Sequence, residues 1–155
     1  DLDGNRLSGL PTELGALENL EQLHLHNNRL TILPAEPRWT SGLLNLQTLT
    51  LNDNQLTCLP VQFGDLRNLV RLDLRNNHLT SIPVELGQLT HLESLKVDGN
   101  VDLTSPPPEV VKEGTEAVMA YLRTGLWKRY QRPIPITAVG GSSRSHAAIR
   151  RAERV

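Results

Sequence analysis

The chain has 155 residues, and 27 of its 29 leucines fall before position 104. Aromatics are 3%, hydrophobics 38% and charged residues 21%, so Leu must build the core, and wholesale disorder is excluded. No apolar run approaches the roughly 18 residues of a membrane span. Net charge is −1, but residues 1–125 hold 9 Lys/Arg against 16 Asp/Glu (net −7) and residues 126–155 hold 7 against one (net +6). An acidic body with a basic tail can steer different partners to its two ends.

Along the chain, Asn recurs at positions 5, 28, 54, 77 and 100, at intervals of 23, 26, 23 and 23. The unit around Asn28 reads Leu20-x-x-Leu23-x-Leu25-x-x-Asn28-x-Leu30-x-x-Leu33-Pro34. Asn54 and Asn77 carry the same frame, running from Leu46 to Pro60 and from Leu69 to Pro83. The first unit keeps only Leu2-x-x-Asn5-x-Leu7-x-x-Leu10-Pro11, and the last begins Leu92-x-x-Leu95-x-Val97-x-x-Asn100. Alternation in Leu23-x-Leu25 is the strand period, so both leucines are predicted to point inward. The strands of successive units should pair in parallel around one shared core. Each buried Leu should contribute about 1.5–3 kcal/mol. Each repeated Asn should satisfy backbone groups left unpaired at the turn. After Pro11, Pro34, Pro60 and Pro83, short turns with little α-helix are expected.

This pattern is the leucine-rich-repeat signature. Its 23-residue variety resembles the intracellular Ras-group proteins and their plant and disease-resistance-like relatives, over about residues 1–124. The fold class expected is an α/β solenoid. It would be a leucine-rich-repeat horseshoe with a parallel concave sheet, short convex turns or helices and a helical C-terminal cap. Residues 1–104 read as repeats with the first one truncated, 105–125 as the cap, and 126–155 as a basic tail or the start of a further segment. Because the chain opens inside a repeat, earlier repeats are expected to precede Asp1.

Two irregularities interrupt the period. Three extra residues between Pro34 and Leu46 read as an oversized loop, with Trp39 expected to be partly exposed. After Asn100, Pro106-Pro107-Pro108 cannot continue a sheet. Glu109–Lys112 reads as one helical turn, Gly114 as its breaker and Thr115 as the N-cap of a second helix. That helix would present Val118, Tyr121 and Leu122 on one face and stop at Gly125. The string from Pro106 to Arg123 resembles the C-terminal cap of the same families, and closely resembles the segment that precedes the GTPase domain in Roco proteins.

Candidate binding residues lie at the outward strand positions. One column runs Asp1, His24, Thr50, Asp73 and Lys96. The next runs Asp3, His26, Asn52, Arg75 and Asp98, and a third runs Gln22, Thr48, Arg71 and Ser94. They are polar, mixed in sign and free of aromatics, which suits a charged protein surface better than a greasy groove. His24, His26, Thr50, Asn52, Arg71, Asp73, Arg75 and Lys96 are the residues expected to bind a protein partner. Asp1, Asp3, His24 and His26 fall on strands about 4.8 Å apart and offer the donor set of a divalent metal, but charge balance between carboxylate and imidazole is the simpler reading. No metal and no cofactor is therefore expected.

No catalytic motif occurs, so the chain reads as a non-enzyme. The family resemblance implies a cytoplasmic signalling scaffold, with a small GTPase or phosphatase among the partners it suggests. The alternative is the regulatory arm of a multidomain enzyme, a Roco GTPase or a kinase, whose catalytic part lies elsewhere. Cys58, the single cysteine, reads as structural and excludes an intramolecular disulfide, which favours a reducing compartment. Trp127-Lys128-Arg129-Tyr130-Gln131-Arg132 can meet an anionic membrane, but a solvated linker is favoured and no nucleic acid is expected. Gly140–His146 lacks the Gly-Lys pair of a phosphate-binding loop. Residues 140–155 are expected to be disordered, with 147–155 offering a basic helix.

Overall fold

A computed structural model describes the backbone of residues 1–130 and the side chains of residues 1–125. Four three-residue strands, β1 (Gln22–His24), β2 (Thr48–Thr50), β3 (Arg71–Asp73) and β4 (Ser94–Lys96), form one parallel sheet in the order β1-β2-β3-β4. The register places Leu23, Leu49, Leu72 and Leu95 opposite one another, all nearly or fully buried. Residues before β1 extend the pairing, because Leu2 N–H donates to the His24 carbonyl (2.9 Å) and Gly4 N–H to that of His26 (3.0 Å). The result is a solenoid-type repeat with one continuous leucine core.

The asparagines register the stack. The Asn77 side chain accepts from Leu56 N–H (3.0 Å) in the preceding unit. Its amide donates to Leu51 O (3.0 Å) there and to Leu74 O (3.1 Å) in its own unit. Asn28, Asn54 and Asn100 make the same bonds one unit away. All four are buried. Just before each stands a left-handed residue: Asn27, Asp53 and Asn76 with φ of 54°, 57° and 54°, then Gly99 with φ of 75°. Asn and Asp tolerate that conformation better than other non-glycine residues. A second row of side chains ties the outer edge: Asn45 donates to Glu18 O (2.9 Å), Asn68 donates to Leu44 O, and the His91 ring meets Arg67 O (3.2 Å).

Opposite the sheet, the prolines lead into short helices. Three are 3₁₀ helices, η1 (Thr12–Ala16), η2 (Val61–Asp65) and η3 (Val84–Gln88). The fourth is not the loop expected from the extra residues. Pro37–Gly42 forms an α-helix, α1, with Pro at its start, where a missing N–H is harmless. Trp39, expected to be partly exposed, is fully buried. Its ring stacks on Phe63 of η2 with centroids 5.6 Å apart. Two glycines permit the seat of α1: a Cβ on Gly42 would run into the Gly15 carbonyl oxygen, and one on Gly15 into that of Arg38. The three added residues thus close a helical turn and bring a large ring inward.

The C-terminal elements also differ from expectation. Helix α2 is Pro108–Lys112 and α3 is Thr115–Tyr130. Gly114 separates them at φ 95°. Val118, Met119 and Leu122 are buried, while Tyr121 is 37% exposed, with its hydroxyl 3.3 Å from Ser105 Oγ. Gly125 does not stop the helix. A Cβ there would press on the Val84 side chain at 2.7 Å, so glycine lets α3 lie close along η3. Thr115 is the first helical residue rather than the cap. Its hydroxyl accepts from Leu95 N–H (3.0 Å) and donates to Leu95 O (3.2 Å). These are the outward-facing backbone groups of β4, the open edge of the sheet. Cys58, read as structural, is exposed. Among the described residues, no helix is long and apolar enough to cross a membrane. The expectations for Gln131–Val155 fall outside the described residues, as do those for the side chains of Trp127–Tyr130.

Candidate functional site

Because consecutive strand residues alternate between faces, the buried leucines force their neighbours outward. The register sets Gln22, Thr48, Arg71 and Ser94 side by side, and likewise His24, Thr50, Asp73 and Lys96. Backbone bonds from Asn27 to Asn52 (3.1 Å), Asp53 to Arg75 (2.9 Å) and Asn76 to Asp98 (2.9 Å) carry the pairing on through the His26, Asn52, Arg75 and Asp98 column. All eight candidate residues therefore share one sheet face, where each is exposed or half-buried.

Their partners divide this face in two. On the β1–β2 side, His26 Nδ1 lies 3.0 Å from Asp3 Oδ1. Thr50 Oγ1 sits 3.3 Å from His24 Nδ1 and 3.4 Å from His26 Nδ1. Asp1, Asp3, His24 and His26 do not converge: among the described residues, no group of three or more His, Cys, Asp or Glu has the geometry to hold a metal ion. On the β3–β4 side, Arg75 grips Asp73 through Nε (3.0 Å) and Nη2 (2.7 Å), the bidentate fork that suits a carboxylate. Hydrogen bonds to Asp73, then its charge, raise the Arg75 pKa above its ordinary value. Just beyond, Asn76 and Asn52 donate to Asp53 at 2.8 Å and 2.7 Å. These bonds hold the Asp53 carboxyl below the usual carboxylate range.

A cavity of about 170 Å³ opens over Leu49 and Leu72, walled by Thr48, Thr50, Arg71, Asp73, Ser94 and Lys96. Larger hollows of about 430 Å³ and 410 Å³ lie beside η1. The first mixes Glu13 and Glu36 with Arg38, and the second is walled by Ala16, Leu17, Glu18, Asn19 and Leu20. Neither is lined by a residue of the polar columns, whereas the smaller cavity lies among them. The sequence places Thr48 and Ser94 in a column but does not mark them as binding residues. Sequence reasoning misses Asp53, although a polar residue one position before the ladder Asn recurs as Asn27, Asp53 and Asn76 and is a readable signal.

The leucine-rich-repeat family pattern matches residues 1–56, 35–79 and 60–101. Among solved structures, the leucine-rich-repeat domain of the type III effector XopL is similar at 27% identity and a TM-score of 0.52, over 73% of this chain and 47% of that one. A Leptospira interrogans leucine-rich-repeat protein matches at 31% identity and a TM-score of 0.47, over 65% of this chain and 34% of that one. The plant peptide hormone receptor RGFR1, in complex with RGF2, matches at 29% identity and a TM-score of 0.45, over 63% and 20%. This chain thus spans between a fifth and a half of those chains. No curated protein matches it.

Proposed function

We propose, for a chain that belongs to the leucine-rich-repeat family, that it is a non-catalytic interaction module serving as an intracellular signalling scaffold. Leucine-rich-repeat domains generally mediate protein–protein interaction. In this reading the solenoid curves as a horseshoe, with the sheet on its concave side, and α3 serves as the C-terminal cap that keeps the last apolar unit from water. A protein partner, a small GTPase or phosphatase in the Ras-group reading, seats on the concave face. Cytoplasmic location belongs to the same reading and rests on the single cysteine. The observation that carries the proposal is the sheet face itself: eight accessible polar side chains of mixed charge on a hydrogen-bonded parallel ladder. Such a face is held rigid before a partner arrives, which lowers the ordering cost of binding.

Affinity capture with mass spectrometry, comparing the native chain with Arg71→Glu/Arg75→Glu, tests the reading. A partner retained by the native chain and lost from a folded variant is the expected outcome. A partner list that ignores the substitutions would remove the concave face from consideration.

A further inference from the structure

The cavity between β2, β3 and β4 has an unbalanced set of hydrogen-bonding groups. Asp73 is the one carboxylate in its wall, and both of its oxygens are already bound by the Arg75 guanidinium, at 2.7 Å to 3.2 Å. Across the sheet, Lys96 is the register partner of Asp73 and Arg71 that of Ser94. Within the described residues, neither Arg71 nor Lys96 has an ion pair, and neither the Thr48 nor the Ser94 hydroxyl has a hydrogen bond. Four donors thus face a space of about 170 Å³, and the nearest anion is committed elsewhere. Small-molecule sites typically enclose roughly 300–1,000 Å³; this one has room for a single side chain of a larger partner.

We propose that this cavity is the anchor point for an acidic segment of a partner protein. One Asp or Glu side chain of that segment enters between Arg71 and Lys96, its carboxylate also accepting from the Thr48 and Ser94 hydroxyls. The Asp73–Arg75 pair gives the site its selectivity. It neutralises the one carboxylate in the wall, so the local charge is set by Arg71 and Lys96. Asp98, in the column beyond, and Asp53 keep the far side of the face negative, so an acidic segment is confined to the stretch of the face between the Thr48, Arg71, Ser94 column and the Thr50, Asp73, Lys96 column. Charge-assisted bonds of this type are about twice as strong as neutral ones. The inference rests on the concave-face reading above and names the chemistry of its partner.

Selection of a random twelve-residue peptide display library on the 155-residue chain, run in parallel on Arg71→Glu/Lys96→Glu, tests it. Both proteins keep the basic residues 126–155, so acidic peptides held by that tail appear in both selections. The expected result is a set of Asp/Glu-containing peptides enriched only by the native chain. Such a peptide, resynthesised, should bind Arg71→Glu/Lys96→Glu at least tenfold more weakly and Thr48→Val/Ser94→Ala a few-fold more weakly. Circular dichroism establishes that both variants are folded. Acidic peptides retained equally by Arg71→Glu/Lys96→Glu would overturn the proposal, as would enrichment of no peptide at all. Peptides that lack acids yet lose binding in His24→Ala/Asn52→Ala would also overturn it, while leaving the broader concave-face function standing.

Discussion

Each strand in this molecule has two sides, and they follow different rules. Inward, Leu23, Leu49, Leu72 and Leu95 are the same residue four times over. Outward, the matching column reads His24, Thr50, Asp73, Lys96 with no repetition. The inner side must fill one fixed space and satisfy one fixed set of backbone groups, so every unit arrives at the same answer. The outer side meets water, which accepts any polar residue. Identity along a column therefore marks what folding demands, and variety marks where folding leaves a choice.

That contrast breaks most visibly at the ladder. Asn77→Ala strands Leu56 N–H and takes one of two amide donors from Leu51 O and from Leu74 O, which keep Asn54 and Asn100. At about 1–3 kcal/mol for the stranded N–H and about 0.5–1.5 kcal/mol for each bond lost at the carbonyls, the expected loss is about 2–5 kcal/mol, read by urea unfolding. Leu72→Ala should lose about 2–5 kcal/mol in the same assay; a neutral result would mean that the inward register is wrong. Gly42→Ala sets a methyl against the Gly15 carbonyl, and overpacking of this kind costs about 1–3 kcal/mol.

Substitutions on the outer side should be far milder. Asp53 is held ionised by Asn76 and Asn52, so its folded-state pKa lies below its unfolded one. Its contribution is complete above the unfolded pKa and disappears as pH falls through the folded value. Asp53→Asn should remove that acid-side dependence from a stability–pH profile and shift neutral stability by about 0.5 kcal/mol. Smallest of all, Arg71→Glu/Lys96→Glu should leave thermal stability within about 0.5 kcal/mol of native. A large loss there would mean that the outer columns help to hold the fold.

Much of this was legible because the period is strict. The Asn spacing gave strand positions, parallel pairing and all three columns, since a two-residue alternation leaves a short strand no other way to bury its leucines. The exceptions lie where one backbone meets another. Nothing local to Trp39 announces burial; its seat exists because Gly15 and Gly42 lack side chains, and those glycines are 27 residues apart. Gly125 reads as a helix stop by local propensity, yet contact with Val84 gives it another reason to be glycine. Thr115 has the right chemistry for a helix cap, but Leu95 presents both a donor and an acceptor to its hydroxyl. In the candidate site, the columns could be read but the pairings could not, because the Asp73–Arg75 fork and the uncommitted Arg71 depend on rotamers.

The bridge from Thr115 to Leu95 also bears on how such a molecule can change in length. A stack of parallel strands is an open-ended polymer: any unit presents the same edge to the next. Here one hydroxyl occupies the amide and the carbonyl at which another strand would start. The terminator is written once, after the last unit, and knows nothing of how many came before. Duplicating or deleting an internal block of 23 residues would leave that ending untouched while lengthening or shortening the polar face. Repeat number and stopping point are thereby separate variables, one free to drift and the other fixed by a single side chain.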